Sequence, residues 1–449
     1  MMKPSVLCLA LVGTLLLAGC AKRVQEPTPQ DIPRLRRALE ADPDDARTLT
    51  RLGMAHFKAG NYLRAESLLG RALETGDAPG AAYLYLGLAS EELEKWSEAR
   101  TAYASYLERG RHGPLKEEIE DRLTLIVRRE LQARAREALA RESEVAQQEP
   151  SQGTVAVFPF RLTTENEELE PLQVALADMM TTDLALSGGL RVLERTRIQT
   201  LLDEMALTEA GLTSPETGAR AGRVLQAEHV VQGALTPLSG ETLRFDTDVL
   251  STSRRETAGE ASAQDQLRQI FEMEKETVFQ ILDILGVDLT PAEREAITEN
   301  RSENLLAFLA YGRGLMAMDE GNFDQAGRFF DESLRLDPGF GAAREGQTEA
   351  RTLREAETTS TGEVASRASP ELSPAPPEPG SPFLLLERTM DEVVPNPSGL
   401  LVDLQTTISD AGTQAQVRDH VPEATNQDAV IGPGKATIRI IVPRPGGGS

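Results

Sequence analysis

The chain is poor in the residues that carry sulfur chemistry. Its two cysteines, Cys8 and Cys20, lie at the start of a 449-residue sequence, so everything after Cys20 is free of thiols. Disulfides, zinc–thiolate centres and a cysteine nucleophile are excluded from that body. Positive charge is also short: 47 Lys+Arg stand against 71 Asp+Glu, for a formal charge of −24. Such a balance repels nucleic acid, and no basic patch with interleaved aromatics offsets it. The four histidines, His56, His112, His229 and His420, are too scattered to form a spaced metal cluster. Aromatics make up 4% of the chain, and residues 154–289 contain neither tryptophan nor tyrosine. Phosphate-cradling and nucleophile-elbow spacings are missing as well, so no cofactor and no enzyme activity are expected.

What is present begins at the amino terminus. Lys3 precedes an apolar run over residues 5–18, 14 residues long. That falls short of the roughly 20 residues needed to cross a bilayer but fits the core of a secretory signal. Its end, Leu17-Ala18-Gly19-Cys20, resembles the lipobox of bacterial lipoproteins. The resemblance implies cleavage after residue 19 and lipid attachment at Cys20. Three acyl chains exceed the two signals that stable anchoring requires. Ala21 follows rather than Asp, which by the same resemblance favours the outer membrane, with the body on its periplasmic face. Residues 20–30 are then a tether.

Residues 46–79 and 80–113 superimpose at an offset of 34: Leu52 on Leu86, Gly53 on Gly87, Tyr62 on Trp96 and Ala65 on Ala99. A 34-residue period with small residues at helix crossings is the tetratricopeptide signature. LRRALEADPDDA reads as the end of a degenerate earlier copy. A further copy is expected at 300–350, where Gly314, Gly321, Phe323, Ala326, Phe330 and Pro338 repeat the pattern. The run from Leu115 keeps Ile119, Leu123, Ile126 and Leu131 on one helical face, which predicts a long helix capping the 31–146 repeat domain. A coiled-coil dimer is the rival reading of that stripe. The concave face of the repeats is expected to include Thr50, Met54, Phe57, Leu84, Leu88 and Glu91 as protein-binding residues, against packing positions Leu49, Leu52, Tyr83 and Leu86. For individual residues the alternative is plain core packing.

Between the repeats, strands alternate with helices over 152–290, which predicts an α/β unit. The expected order is a buried strand TVAVFPF, a helix 172–186, the strand LRVLE, two helices, the strand HVVQGAL and a hairpin over 243–262. A helix over 266–285 closes the unit. Thr196 and Gln199 fit a capping box opening the helix after Glu194-Arg195, and Ser214-Pro215 fits an N-cap with proline in the first turn. His229 reads as an edge-strand residue. Glu194-Arg195 reads as a charged strand-to-helix corner rather than an acid/base pair. Asp246 and Asp248, two apart on a strand, share one face, either as a cation pair or as solvated surface.

The blocks VAVFPF, ALADMMTTDLALSGGLRVLERTRIQTLLDE and LQAEHVVQGAL resemble the CsgG/HfaB family, typified by the curli secretion channel, and are similar to TolB amino-terminal and penicillin-binding-protein-activator domains. The resemblance implies an anticodon-binding-like α/β fold and self-association through it. Barrel strands of the channel type need about 10 residues of apolar-out, polar-in alternation with aromatic girdles. Here STSRRETAGEAS is polar on both faces, so the body of the fold is expected without the pore. From Glu355 the helical pattern stops, and a proline-rich disordered tail over 355–449 is expected. Within it, Phe383-Leu-Leu-Leu could dock a partner and ATIRIIVPRP could form one strand.

These features predict an α+β multidomain lipoprotein that acts as a non-catalytic scaffold in cell-envelope assembly or secretion. It would meet protein partners through its repeats and the membrane through Cys20. The alternatives are a subunit of a curli-type secretion channel and a non-catalytic activator of peptidoglycan synthesis.

Overall fold

The computed structural model describes residues 26–109, 115–206, 214–300, 302 and 304–368. Helix α1 (Ile32–Ala41) precedes two helix pairs, α2 (Ala46–Lys58) with α3 (Tyr62–Glu74) and α4 (Gly80–Glu92) with α5 (Trp96–Glu108). A later pair is α13 (Leu305–Asp319) with α14 (Phe323–Leu336). The glycines that align in sequence sit where the paired helices touch. A Cβ on Gly53 would lie 2.6 Å from Leu69, one on Gly87 2.5 Å from the Tyr103 ring, and one on Gly314 2.4 Å from the Phe330 ring. The turn within each pair requires a left-handed residue, supplied by Gly60 (φ 72°), Glu94 (φ 57°) and Gly321 (φ 74°). Of these three turn residues Glu94 alone carries a Cβ, at a cost of about 1 kcal/mol.

The repeats at the two ends of the sequence are neighbours in space. Helix α6 (Leu115–Ala140) packs on α5, and on its other side α6 meets α15 (Gly341–Thr358), which packs on α14. The array therefore runs from α1 through α6 and α15 to α13. Leu115, Ile119, Leu123 and Ile126 of α6 join the core of the amino-terminal pairs, while Leu125 joins the core beyond. The stripe that could have formed a coiled coil is used within the chain. Arg100 of α5 meets Glu130 of α6 at 2.7 Å, both side chains buried.

The helical pattern does not stop at Glu355. Helix α15 continues to Thr358, with Leu353 and Ala356 buried, and a short helix α16 (Thr361–Arg367) follows. Its residues Val364 and Ala365, with Ala368 just past its end, are at most 2% exposed and belong to the core of the amino-terminal repeats. Seven residues with a single large aliphatic side chain, Val364, show no periodicity to read, because the burial comes from a distant surface. The sequences around Phe383 and Ile438 lie outside the described residues.

Between α6 and α13 the chain builds a mixed sheet. After a turn of helix, α7 (Glu142–Val145), come β1 (Ser151–Val157), β2 (Arg161–Leu162), α8 (Leu172–Leu186), β3 (Arg191–Val192), α9 (Arg195–Glu204) and α10 (Pro215–Val224). The long strands β4 (Ala227–Pro237), β5 (Thr242–Ser251) and β6 (Glu256–Gln266) follow, then α11 (Ile270–Ile284) and α12 (Pro291–Glu299). The sheet order is β3-β1-β4-β5-β6, with β2 pairing beside β1 on β4. β1 is parallel to both neighbours, and β4-β5-β6 is an antiparallel meander. Side chains alternate across the sheet as the pleat requires. Val155 and Val157 face α8 and α11, while Ala156 and Phe158 face α9 and α10. The first of these cores is continuous with α13, α14 and α15. The overall class is α+β and multidomain, as the sequence indicated.

Local details differ from expectation in three places. Ser214 caps α10 as predicted, its side chain accepting from the Thr217 N–H at 3.2 Å. Helix α9, however, starts at Arg195 behind Glu194, with no side-chain cap. Thr196 is already inside it and Gln199 donates to Asp203 at 2.8 Å, so the capping box does not form. Arg195 is drawn into the first turn by buried partners described below, which moves the helix start forward. His229 lies on β4, an inner strand paired on both sides, not on an edge. A cap that sequence reading missed is Thr290, whose hydroxyl accepts from the Glu293 N–H at 3.2 Å while Glu293 reaches back to the Thr290 N–H at 2.7 Å.

Two substitutions test the repeat geometry. Gly87→Ala should cost about 1–3 kcal/mol by overpacking against Tyr103, whereas Glu94→Gly should be neutral or stabilise by up to about 1 kcal/mol. Denaturant midpoints of the two variants against the parent read both effects, and equal destabilisation would contradict the helix-crossing role of Gly87.

Candidate interaction surfaces

The predicted repeat-face residues divide sharply. Thr50, Met54, Phe57, Leu84 and Leu88 are all at most 4% exposed. Thr50 donates to the Ala46 carbonyl within its own helix at 2.7 Å. Phe57 packs edge-on against Tyr85, with ring centroids 5.5 Å apart. These five residues hold the repeats together and present little to a partner. Glu91 is different. It accepts two hydrogen bonds from the Arg122 guanidinium, at 2.7 and 2.8 Å, and a third from the Tyr103 hydroxyl at 2.7 Å.

Arg122 also donates to the Thr359 carbonyl at 2.7 Å, which leads to the occupant of this face. Helix α16 lies across α4, the first helix of its pair and hence part of the inner wall of the array, and across α6. The Tyr85 hydroxyl donates to the Ala365 carbonyl at 2.9 Å, and Arg367 meets Glu118 at 2.9 Å. Thr361 hydrogen-bonds Glu92. Ser360 caps the helix in a capping box with Glu363. The amino-terminal segment reaches the same place: Glu26 pairs with Lys58 at 2.6 Å, and burial together with the Glu26 charge raises the Tyr85 pKa. Burying one valine and two alanines supplies on the order of 3 kcal/mol, so α16 is held, though not irrevocably.

A second polar constellation joins the α/β unit to the later repeat. Arg195, first residue of α9, is buried between Asp319 of α13, at 2.7 Å, and Asp178 of α8, at 3.3 Å. The Tyr311 hydroxyl donates to Asp178 at 2.6 Å. Burial alone would lower the Arg195 pKa, but the carboxylates of Asp319 and Asp178 more than reverse this and keep it charged. Close by, Arg128 of α6 donates to the Met318 carbonyl at 2.6 Å. The backbones are tight here too: a Cβ on Gly312 would sit 2.3 Å from the Pro171 carbonyl oxygen. The Glu194-Arg195 corner is thus a buried junction, not a solvated one. Sequence reasoning missed Asp178, Tyr311 and Asp319. The available signal was an acid placed inside the otherwise apolar ALADMMTTDLAL helix. Asp183 on that helix has a similar fate, paired with buried Lys275, which also donates to the Asn300 carbonyl at 2.6 Å.

The remaining candidates are half-buried positions on the sheet. Asp246 and Asp248 do share a face of β5, where Arg244 pairs with Asp246 at 2.8 Å. Asp248 opposes Glu260 on β6, and partial burial with these like charges raises its pKa. Burial lowers the pKa of His229. Among the described residues no group of three His, Cys, Asp or Glu side chains is placed to hold a metal ion. Cys20 lies outside the described residues.

Fold and contacts define a helical-repeat protein with an α/β unit inserted into the array. Residues 32–78 and 50–114 match the tetratricopeptide repeat family, and residues 138–263 match the family of the curli production assembly/transport component CsgG. The chain carries a CsgG-like domain flanked in sequence by tetratricopeptide repeats. Among solved structures, the LpoB C-terminal domain from Salmonella enterica is similar at 12% identity with a TM-score of 0.20, over 30% of this chain and 95% of that one. No curated protein sequence matches significantly.

The junction should be costly to break. Arg195→Met leaves two largely buried carboxylates, 22% and 13% exposed, without their cation and should destabilise the protein by about 2–3 kcal/mol, less than a fully buried pair would, read as a lowered thermal midpoint. Adding Asp319→Asn should recover part of the loss; additive losses would mean that the residues do not form one cluster. Nearby Glu345 is raised to about 7 by burial and by the Asp178 and Glu349 charges. The folded protein therefore holds a proton that the unfolded chain gives up near the ordinary value of 4.5, and stability declines as pH rises from there to about 7. Glu345→Gln should flatten that decline, with a gain on the order of 1 kcal/mol at pH 8 after allowance for its partial exposure.

Proposed function

We propose that this protein is a non-catalytic, lipid-anchored scaffold of the bacterial outer membrane, exposed to the periplasm, which holds partner proteins through its repeats and its CsgG-like domain. The single observation that carries the reading is the shared core that locks the inserted α/β unit onto the repeat array through Arg195, Tyr311 and Gly312. Such a body presents two interaction surfaces at fixed separation, which is what an adaptor requires. Anchoring adds orientation. From Cys20 to Glu26 the chain can span at most about 20 Å, so a lipid at Cys20 keeps the inner wall of the repeats close to the membrane surface.

The geometry of the hairpin favours a scaffold over a secretion channel. Strands β5 and β6 are long enough to cross an outer membrane, yet the β6 face bearing Gly259, Ala261 and Ala263 is packed toward α11, where a Cβ on Gly259 would lie 2.7 Å from Ile284. The opposite face carries Asp246, Asp248 and Glu260. Neither face offers lipid an apolar band.

Two measurements test the proposal. Cys20→Ser should abolish incorporation of labelled palmitate and release the protein from the outer-membrane fraction; unchanged labelling and fractionation would refute the lipid anchor. Site-specific photocrosslinking from positions on the repeats and on β6 in intact cells should trap partner proteins at both surfaces. Partners trapped from only one surface, or reproducible single-channel conductance from purified protein in planar bilayers, would overturn the adaptor.

A further inference from the structure

We propose that the inner wall of the amino-terminal repeats is a recognition groove for a short capped helix, and that α16 is its internal occupant, displaced when a partner presents a helix of the same chemistry. This deepens the adaptor reading by giving one of its two surfaces a ligand class and a gate. The chemistry is read from the seat itself. The groove supplies a hydroxyl donor, Tyr85, to a main-chain carbonyl of the bound helix, and a guanidinium, Arg122, to the carbonyl just before it. It takes small aliphatic side chains, since Val364, Ala365 and Ala368 are at most 2% exposed against it and join its core. Its rim is acidic, with Glu92 receiving Thr361 and Glu118 receiving Arg367. The fitting segment is therefore a single- or two-turn helix opened by Ser or Thr. It bears valine and alanine at adjacent positions, a second alanine three residues on, and a basic residue at its end.

Several features make α16 an occupant rather than a founding part of the fold. It is joined to α15 by only Thr359 and Ser360, and it is seven residues long. A helix of that length has little stability of its own and depends on its contacts. One of its groove partners is held without it: Arg122 keeps two hydrogen bonds to Glu91, and Tyr103 completes that cluster. Departure of α16 leaves the Glu91–Arg122 pair intact, and Tyr85 becomes open to the next ligand. Glu26 pairs at 2.6 Å with Lys58 of α2, the first helix of the pair before the one that carries Tyr85.

The experiment uses full-length protein in mild detergent and a fluorescein-labelled peptide of residues 357–369 as the probe. The parent should bind weakly because its own α16 competes at high effective concentration. Val364→Asp, which expels α16, should bind the peptide at least about tenfold more tightly, and truncation after Thr358 should do the same. Tyr85→Phe added to either should weaken binding about fivefold, the worth of one hydrogen bond, and a peptide carrying Val364→Asp should not bind. Tryptic cleavage after Arg367 should accelerate when unlabelled peptide is added to the parent. If both variants keep the parent's thermal midpoint and helical spectrum but bind no more tightly, the groove is not a recognition site. If neither variant folds, α16 is a structural element, and that outcome also overturns the proposal. Either result leaves the adaptor reading to its own crosslinking test.

Discussion

Arg195 is the constraint on which the arrangement of this molecule depends. A guanidinium taken out of water is tolerated only where carboxylates and hydrogen bonds repay its desolvation, and here those come from two different parts of the chain. Asp178 belongs to the α/β unit, whereas Asp319 and Tyr311 belong to the later repeat. Asp178 is thus contacted from both sides, and the apolar core runs without a break from the sheet into α13, α14 and α15. Hydrophobic area supplies most of the favourable free energy at this junction, but it is indifferent to small rotations. The ion cluster with its directed hydrogen bonds fixes which face of α13 meets α8, and the approach of Gly312 to Pro171 fixes how closely.

From that junction the rest of the array follows. Because α13 is held against α8, α14 and α15 return to α6, and the carboxyl-terminal repeat completes a layer begun by the amino-terminal one. The end of α15 then points α16 at the inner wall of α4. An array of two repeats buries too little apolar surface to stand alone, and this chain solves the problem by closing the array with helices from over 200 residues further along the sequence, Arg122 reaching Thr359 across a separation of 237. The α/β unit is inserted into this array.

Much of this was written locally. The 34-residue period, with Gly53 and Gly87 at helix crossings, located four helices because each glycine answers to a side chain on the very next helix. The alternation of TVAVF gave a strand with two buried faces, and Ser214-Pro215 gave a helix start, since both depend on neighbours within a few residues. The predicted cap at Thr196 failed for the opposite reason: Arg195 obeys partners at positions 178 and 319, and the local rule yielded to them. The repeat-face residues failed similarly. Leu84 and Leu88 alternate with Tyr83 and Leu86 on a helix that is apolar all round, so periodicity could not say which side was inner wall and which was core.

The sequence by itself determined the helix pairs, the order of strands and helices in the CsgG-like domain and the acidic, thiol-free character of the body, because these rest on side-chain period, turn chemistry and composition. Tertiary structure alone decided that the two sets of repeats are one array, that the ERTRIQ corner is a buried junction and that residues 361–367 fill the repeat groove. Each of those depends on pairing groups more than 100 residues apart, and one sequence read locally carries no term for such distances. A charge that looks solvated beside its neighbours, or an alanine that looks indifferent, acquires its role only when the chain brings its partner to it.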